Sequence, residues 1–118
     1  ILFANEDEAA SLCDSDIASA TETLCGQVGE AVITRGENGA FVGSGDIRHE
    51  CAAQPFGGVE DTTGAGDLFA AGYLFGRTNG RDPLASGLIA SLAAGEVISH
   101  IGARPQADVA AMIAAEKL

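Results

Sequence analysis

The sequence predicts an α/β domain, and three observations carry that prediction. A short apolar run is followed by helical segments, then by a group of strands, then by further helices, the order expected of a sheet covered by helices. Loops of the kind that meet ligands lie between these segments, and the 16 glycines sit in short motifs rather than in a low-complexity tract, which points to tight turns and close backbone approaches. Hydrophobic residues make up 47% of the chain, enough to build a core.

Ile1 to Ala4 is an apolar run that fits a buried parallel strand. Asn5 can cap a helix over residues 6–13, and Glu6, Asp7 and Glu8 place negative charge in its first turn, where the helix dipole favours it. Asp16 is placed to cap a second helix from Ile17 to Gly26, a glycine able to end it. The next strand covers 31–34 and stops at Gly36 and Gly39. Asn38-Gly39 is a strong turn signal, after which Ala40-Phe41-Val42 resumes as a strand. A further strand covers 47–52, and residues 54–60, with Pro55, Gly57 and Gly58, form a loop. The run 61–66 opens a helix from Asp67 to Arg77, broken by Thr78-Asn79-Gly80. Asp82 with Pro83 starts another, since proline is tolerated at the first helical position, and Leu84, Leu88 and Leu92 recur along it toward His100. Gly102 and Pro105 end that helix, and 106–116 is a last, Ala-rich one.

Six basic against seventeen acidic residues give a net charge of -11. A large positive face for nucleic acid is therefore excluded, and an anionic membrane would repel the chain. A small phosphate-bearing ligand remains compatible with this charge, because a few backbone N–H groups and a magnesium ion can hold phosphates. Cys13, Cys25 and Cys51 form no C-x-x-C pair and no zinc-spaced cluster, so three free thiols in a reducing cytoplasm are expected. No run approaches eighteen apolar residues, and no signal peptide opens the chain. Ile1-Leu2-Phe3-Ala4 reads as the tail of a strand, which suggests the C-terminal part of a longer protein.

Asp61 to Asp67 is the run richest in chemistry. The small residues Gly64, Ala65 and Gly66 precede an apolar helix, so their N–H groups can converge on one anion at its N-terminus. Such an arrangement suits the charge on a phosphoryl group in flight. Asp67 beside it could take the proton of an attacking hydroxyl; read structurally, it is an ordinary acidic residue at a helix start. Asn5 and Glu8 read as a capped helix start, and Thr34 to Ala40 as a strand with a hairpin turn in which Arg35 could reach a phosphate or simply face solvent. Small residues between Ser91 and Gly95 permit close helix packing, as do Gly72 and Gly76. His49 and His100 have no partner motif and read as surface or helix-end residues.

Asp61-Thr62-Thr63-Gly64-Ala65-Gly66-Asp67, continuing into Leu68-Phe69-Ala70-Ala71-Gly72, resembles the C-terminal signature of the pfkB carbohydrate kinases, the ribokinase-like family. The likeness extends in family order from Asn5 to Pro105. It implies a ribokinase-like, Rossmann-like three-layer α/β/α fold, of which residues 1–118 would be the C-terminal nucleotide-binding and catalytic part, with the lid absent. By the same resemblance Asp67 is the general base, the N–H groups of Gly64, Ala65 and Gly66 make the anion hole, and Asp61 and Thr63 help bind a monovalent cation such as K+. Asn5 and Glu8 match an N-x-x-E motif linked to Mg2+, through water. Thr34, Gly36 and Gly39 match a T-x-G-x-x-G segment that lines the nucleotide. Ser91 falls where a residue lies against adenine, with Ala94 and Gly95 leaving room for a flat ring. Gly102-Ala103 resembles the loop whose carbonyls complete the cation site.

The implied activity is transfer of the ATP γ-phosphoryl group to a hydroxymethyl group of a nucleoside or sugar. Ile1-Leu2-Phe3-Ala4-Asn5-Glu6, Ala93 to Ile98 and Ile101 to Pro105 are most similar to bacterial adenosine-kinase-like members. A non-catalytic nucleotide-binding module of the same fold is the alternative. A hydrolase elbow is disfavoured, because Gly-x-Ser-x-Gly is absent. A small-molecule substrate, no nucleic acid, no membrane and a cytoplasmic location are expected. A homodimer is compatible with the family, often through the lid.

Overall fold

Four strands form one sheet in the order β1-β2-β3-β4 in the computed structural model, which describes residues 1–54 and 58–118. These are β1 (Leu2–Asn5), β2 (Glu30–Thr34), β3 (Ala40–Ser44) and β4 (Ile47–Cys51). β1 and β2 are parallel, as the apolar opening run predicts, while β3 runs antiparallel to both β2 and β4. The five helices are α1 (Glu6–Cys13), α2 (Ile17–Gln27), α3 (Ala65–Thr78), α4 (Pro83–Val97) and α5 (Val109–Ala115). Of the predicted loop 54–60, Pro55 and Gly57 lie outside the described residues.

Side chains alternate across the sheet, as a pleated strand requires. Ala31 and Ile33 of β2 pack with Ala9, Ala20 and Leu24 from α1 and α2. Val32, together with Val42 and Cys51, packs instead with Phe69 and Tyr73 of α3 and Ala90 of α4. Helices therefore cover both faces, giving the three-layer α/β/α arrangement. The ring of Tyr73, fully buried, meets Phe3 edge-on at 5.8 Å and 82°, a geometry worth about 0.5–1.5 kcal/mol beyond area burial. Its hydroxyl donates to Glu30 Oε2 at 2.7 Å, and Arg77 Nε donates to Glu30 Oε1 at 3.0 Å. Burial pushes the Glu30 carboxyl up, but the Arg77 and Tyr73 hydrogen bonds outweigh it and hold the group below its ordinary value.

α3 and α4 pack backbone to backbone, as expected for Gly72 and Gly76. A Cβ on Gly72 would lie 2.8 Å from the Ala90 Cα, and one on Gly76 would lie 2.8 Å from the Ser86 Cα. Both distances are too short for any side chain at these positions.

Element ends differ from the sequence expectation where a local hydrogen bond wins. α2 continues through Gly26 to Gln27 and stops as Val28 turns extended to enter β2. α3 begins at Ala65 rather than Asp67, because Gly64 takes the left-handed conformation (φ 81°) and serves as its cap. α4 ends before His100: the Ser99 hydroxyl donates to the Glu96 carbonyl at 2.6 Å and turns the chain. α5 starts late, at Val109, where the Asp108 side chain accepts from the Ala111 N–H at 3.1 Å. All three cysteines are free thiols, as expected, with Cys25 and Cys51 buried.

Candidate active site

One end of the sheet carries the site. Strand pairing aligns Asn5, Thr34, Ala40 and Cys51 in a row across all four strands. This row includes the carboxyl ends of the parallel pair β1 and β2, where open α/β sheets receive ligands. Beyond Thr34 the chain makes a 3-10 turn over Gly36–Asn38, with Gly36 and Gly39 at φ 56° and 84°. Such angles favour glycine over residues that carry a Cβ. Any Cβ on Gly39 would also collide with the Cys51 carbonyl oxygen. The spacing of the T-x-G-x-x-G segment is thus explained by backbone geometry, which leaves the surface above it clear.

Facing this turn is the loop 61–64. Its Asp61 carboxylate accepts the Thr63 N–H at 2.9 Å and, across the site, the Gly102 N–H at 3.1 Å. The Thr63 hydroxyl, the Thr63 N–H and the Gly102 N–H hold its carboxyl down at about 2, so it stays ionised at neutral pH. The Glu60 and Asp61 N–H groups donate to the Ile98 carbonyl at 2.8 and 3.3 Å. A Cβ on Gly64 would lie 2.8 Å from the Ala103 Cβ. Glycine at position 64 therefore serves two ends: a left-handed cap and direct apposition to the 102–103 loop.

At the front of α3 the N–H groups divide. Ala65 N–H donates to the Thr62 carbonyl at 3.2 Å and Leu68 N–H to the Gly64 carbonyl at 2.9 Å. Ala65 is thus less free to meet an anion than its neighbours, a difference from the equal trio expected from sequence. Gly66 is exposed, and a Cβ there would meet nothing within 4 Å. Its N–H has no backbone acceptor among the described residues, as expected for a first-turn donor. Asp67 follows, exposed in the first helical turn.

Between turn, loop and helices lies a cavity of about 840 Å³, within the size range of cofactor sites. Thr34, Gly36 and Gly39 line one side, Thr62, Ala65, Gly66 and Phe69 a second, and Ser91, Ala94, Gly95 and Ile98 a third. The structure therefore brings together every residue expected at the nucleotide, plus two of the three anion-hole residues. The Ser91 hydroxyl donates to the Gly87 carbonyl at 3.0 Å, so this residue presents a packing surface rather than a free donor. Phe69 and Ile98 were not anticipated. Their signal is spacing: Phe69 lies three and four residues beyond Gly66 and Ala65 on α3, and Ile98, the cap of α4, lies three and four residues beyond Gly95 and Ala94.

Asp61, Thr63, Gly64, Asp67, Asn5 and Glu8 are not among the cavity-lining residues. Asn5 and Glu8 satisfy each other as a capping box, the Asn5 Oδ1 accepting the Glu8 N–H at 2.8 Å and the Glu8 Oε1 accepting the Asn5 N–H at 3.0 Å. This is the structural reading of the motif, realised at the correct end of β1. Among the described residues no three His, Cys, Asp or Glu side chains cluster as a metal cage, and no helix is long and apolar enough to cross a membrane. Arg35 lies beside the turn, with Nη1 3.7 Å from a Glu50 carboxylate oxygen. His100 lies just past the end of α4, one of its two expected positions, but not on the surface: its side chain is 13% exposed and its Nε2 lies 3.0 Å from the buried Glu96 Oε1.

The profile of the pfkB family carbohydrate kinases matches residues 1–110. A structure described as a probable sugar kinase from Rhizobium etli superposes with a TM-score of 0.94 at 39% identity, covering 98% of this chain and 36% of that one. The adenosine kinase of Sinorhizobium meliloti superposes with a TM-score of 0.89 at 42% identity, again covering 98% and 36%. The cytidine kinase of Thermococcus kodakarensis is 42% identical over 85 residues, or 69% of this chain and 30% of its own length. The chain spans well under half the length of each of these relatives.

Proposed function

Because the chain belongs to the pfkB family of carbohydrate kinases, we propose that the intact protein transfers the γ-phosphoryl group of ATP to a hydroxymethyl group of a nucleoside or sugar. The observation that carries this reading is the cavity walled by Thr34, Gly36, Gly39, Ser91 and Gly95, which opens onto the N-terminus of α3 at Ala65 and Gly66. The adenosine moiety occupies the cavity and the phosphates extend to the helix front, where N–H donors and the dipole favour negative charge. Gly64 and Gly66 supply the N–H groups for the transferred phosphoryl, with Ala65 joining as its bond to Thr62 lengthens. Asp67, at the same helix front, accepts the proton of the acceptor hydroxyl, and catalysis rests on positioning and electrostatics.

The donor set at Asn5 and Glu8 fits Mg2+ held mainly by phosphate oxygens and water rather than by a protein cage. Glu8 would hold it through water, and the ion would neutralise charge on the phosphates. Asp61, ionised and already braced by Thr63 and Gly102, fits a neighbouring monovalent cation such as K+, with Thr63 beside it. A nucleoside acceptor is favoured over a sugar because two of the more similar relatives, an adenosine kinase and a cytidine kinase, are nucleoside kinases by description.

The test is direct. Full-length protein is incubated with ATP, Mg2+ and a panel of adenosine, cytidine, ribose and fructose, and ADP release and product mass are measured. Phosphorylation of one acceptor class is expected; no product with any hydroxyl acceptor would end the kinase reading. One variant probes the loop. Gly64→Val places a β-branched residue at a left-handed φ, a strain of about 1–3 kcal/mol, and drives its Cβ into Ala103. The catalytic loop must shift, and a displacement of about 1 Å can cost about 100-fold in rate. Steady-state kinetics should show that loss in kcat, and kcat within twofold of the parent would contradict it.

A further inference from the structure

Glu96 is the most deeply buried carboxylate among the described residues, 1% exposed, and the proposed reaction gives it no part. Its Oε1 atom accepts three hydrogen bonds: from the Gln106 N–H at 2.9 Å, from the Ala107 N–H at 3.0 Å, and with His100 Nε2 at 3.0 Å. All three partners belong to the segment 99–107, which has no helix or strand of its own. The Glu96 carbonyl holds the same segment from its near end, accepting the Ser99 N–H at 3.1 Å and the Ser99 hydroxyl at 2.6 Å.

The middle of this segment is what touches the catalytic loop. Gly102 donates to Asp61, and Ala103 abuts Gly64. Ile98, one turn before it, accepts from Glu60 and Asp61. Residues 101–106 are exposed, so packing alone does little to fix them. We propose that Glu96 is a positioning residue for phosphoryl transfer: by clamping 99–107 at both ends it sets where Gly102 and Ala103 press on Asp61 and Gly64, and hence where the anion hole stands. A carboxylate suits the task because one oxygen can accept several converging N–H groups, and such charge-assisted bonds are the strong ones. The proposal rests on the kinase reading for its catalytic consequence but not for its structural part.

The test therefore has two arms on the full-length protein. In the first, Glu96→Ala and Glu96→Gln are compared by steady-state kinetics and by ATP binding. Glu96→Ala is expected to lower kcat about 10- to 100-fold, the range seen when an outer partner that orients a working group is removed, with a smaller, at most about fivefold, rise in the ATP Kd, since only Thr62 and Ile98 of the cavity walls lie in the loosened stretches. Glu96→Gln keeps one accepting oxygen and should recover kcat to within about threefold of the parent. In the second arm, amide hydrogen exchange is followed through residues 98–107 and 60–64. Both stretches should exchange at least tenfold faster in Glu96→Ala while β2 and β3 stay protected.

Unchanged kcat in Glu96→Ala, or equal losses of kcat, ATP affinity and strand protection, would overturn the proposal, the latter by showing a general core role. If the parent protein transfers no phosphoryl group, the kinase reading fails while the exchange arm still decides whether Glu96 holds the segment. Should Glu96→Ala not fold, exchange in His100→Ala, which removes one partner of Glu96 only, decides the same point: no acceleration at 98–107 overturns it.

Discussion

Asp67→Asn in the full-length protein is expected to lower kcat by about 1,000-fold, within the 10²- to 10⁴-fold range of a lost general base, while ATP binds within about twofold of the parent. Asparagine has nearly the same shape and cannot accept the hydroxyl proton. Asp67 is exposed in the first turn of α3 and does not line the cavity, so the nucleotide compartment should be indifferent to the change. The one structural cost is loss of a negative charge near the helix N-terminus, about 0.3–1 kcal/mol. Calorimetric titration with ATP beside steady-state kinetics separates the two quantities. Retained turnover would remove Asp67 from the chemistry. Unchanged affinity in a parent protein without turnover would favour the rival reading, a nucleotide-binding module that does not catalyse.

The complementary substitution is Ala94→Trp, expected to weaken ATP binding at least about 100-fold, or about 2.7 kcal/mol. Ala94 faces the cavity from the middle of α4, flanked on the same wall by Ser91, Gly95 and Ile98. An indole there projects into the cavity and fills the space that a flat base would need. Thermal unfolding checks that the helix pair survives, and ATP titration reads the loss. ATP affinity equal to the parent's would mean that the base sits elsewhere, and the cavity would lose its assignment.

The fold was largely legible because its signals are local and repeated. Apolar runs at 1–4, 31–34 and 40–42 are strands within a residue or two, and Asn5, Asp16 and Asp82 each cap the helix they precede. The run at 61–67 was picked out because small residues before a helix can present N–H groups to an anion, and in the structure Thr62, Ala65 and Gly66 of that run line the cavity. Element ends were less legible, since they depend on contacts made only after folding. Nothing in the order of residues says that Gly26 will stay helical, or that the 106–107 N–H groups will turn to Glu96 rather than extend α5. Glu96 itself sits in an apolar helix segment as a single charge, and only the return of residues 99–107 gives it partners. Sequence spacing also grouped Asn5 and Glu8 correctly while leaving their use open. They cap α1 in the structure, and Mg2+ through water at that corner remains our proposal.

The glycines of α3 have a mechanical consequence. Shear between packed helices works by small sliding of packed surfaces past one another, and at Gly72 and Gly76 those surfaces are in close contact: α3 meets the Ala90 backbone and the Ser86 Cα and side chain of α4. Such close apposition favours the two helices moving as one plate, which under the proposed function would carry the phosphate end of the site on one helix and the base wall on the other. Under the proposed function, variants that soften this seam should blur the register between base and phosphate before they unfold the domain.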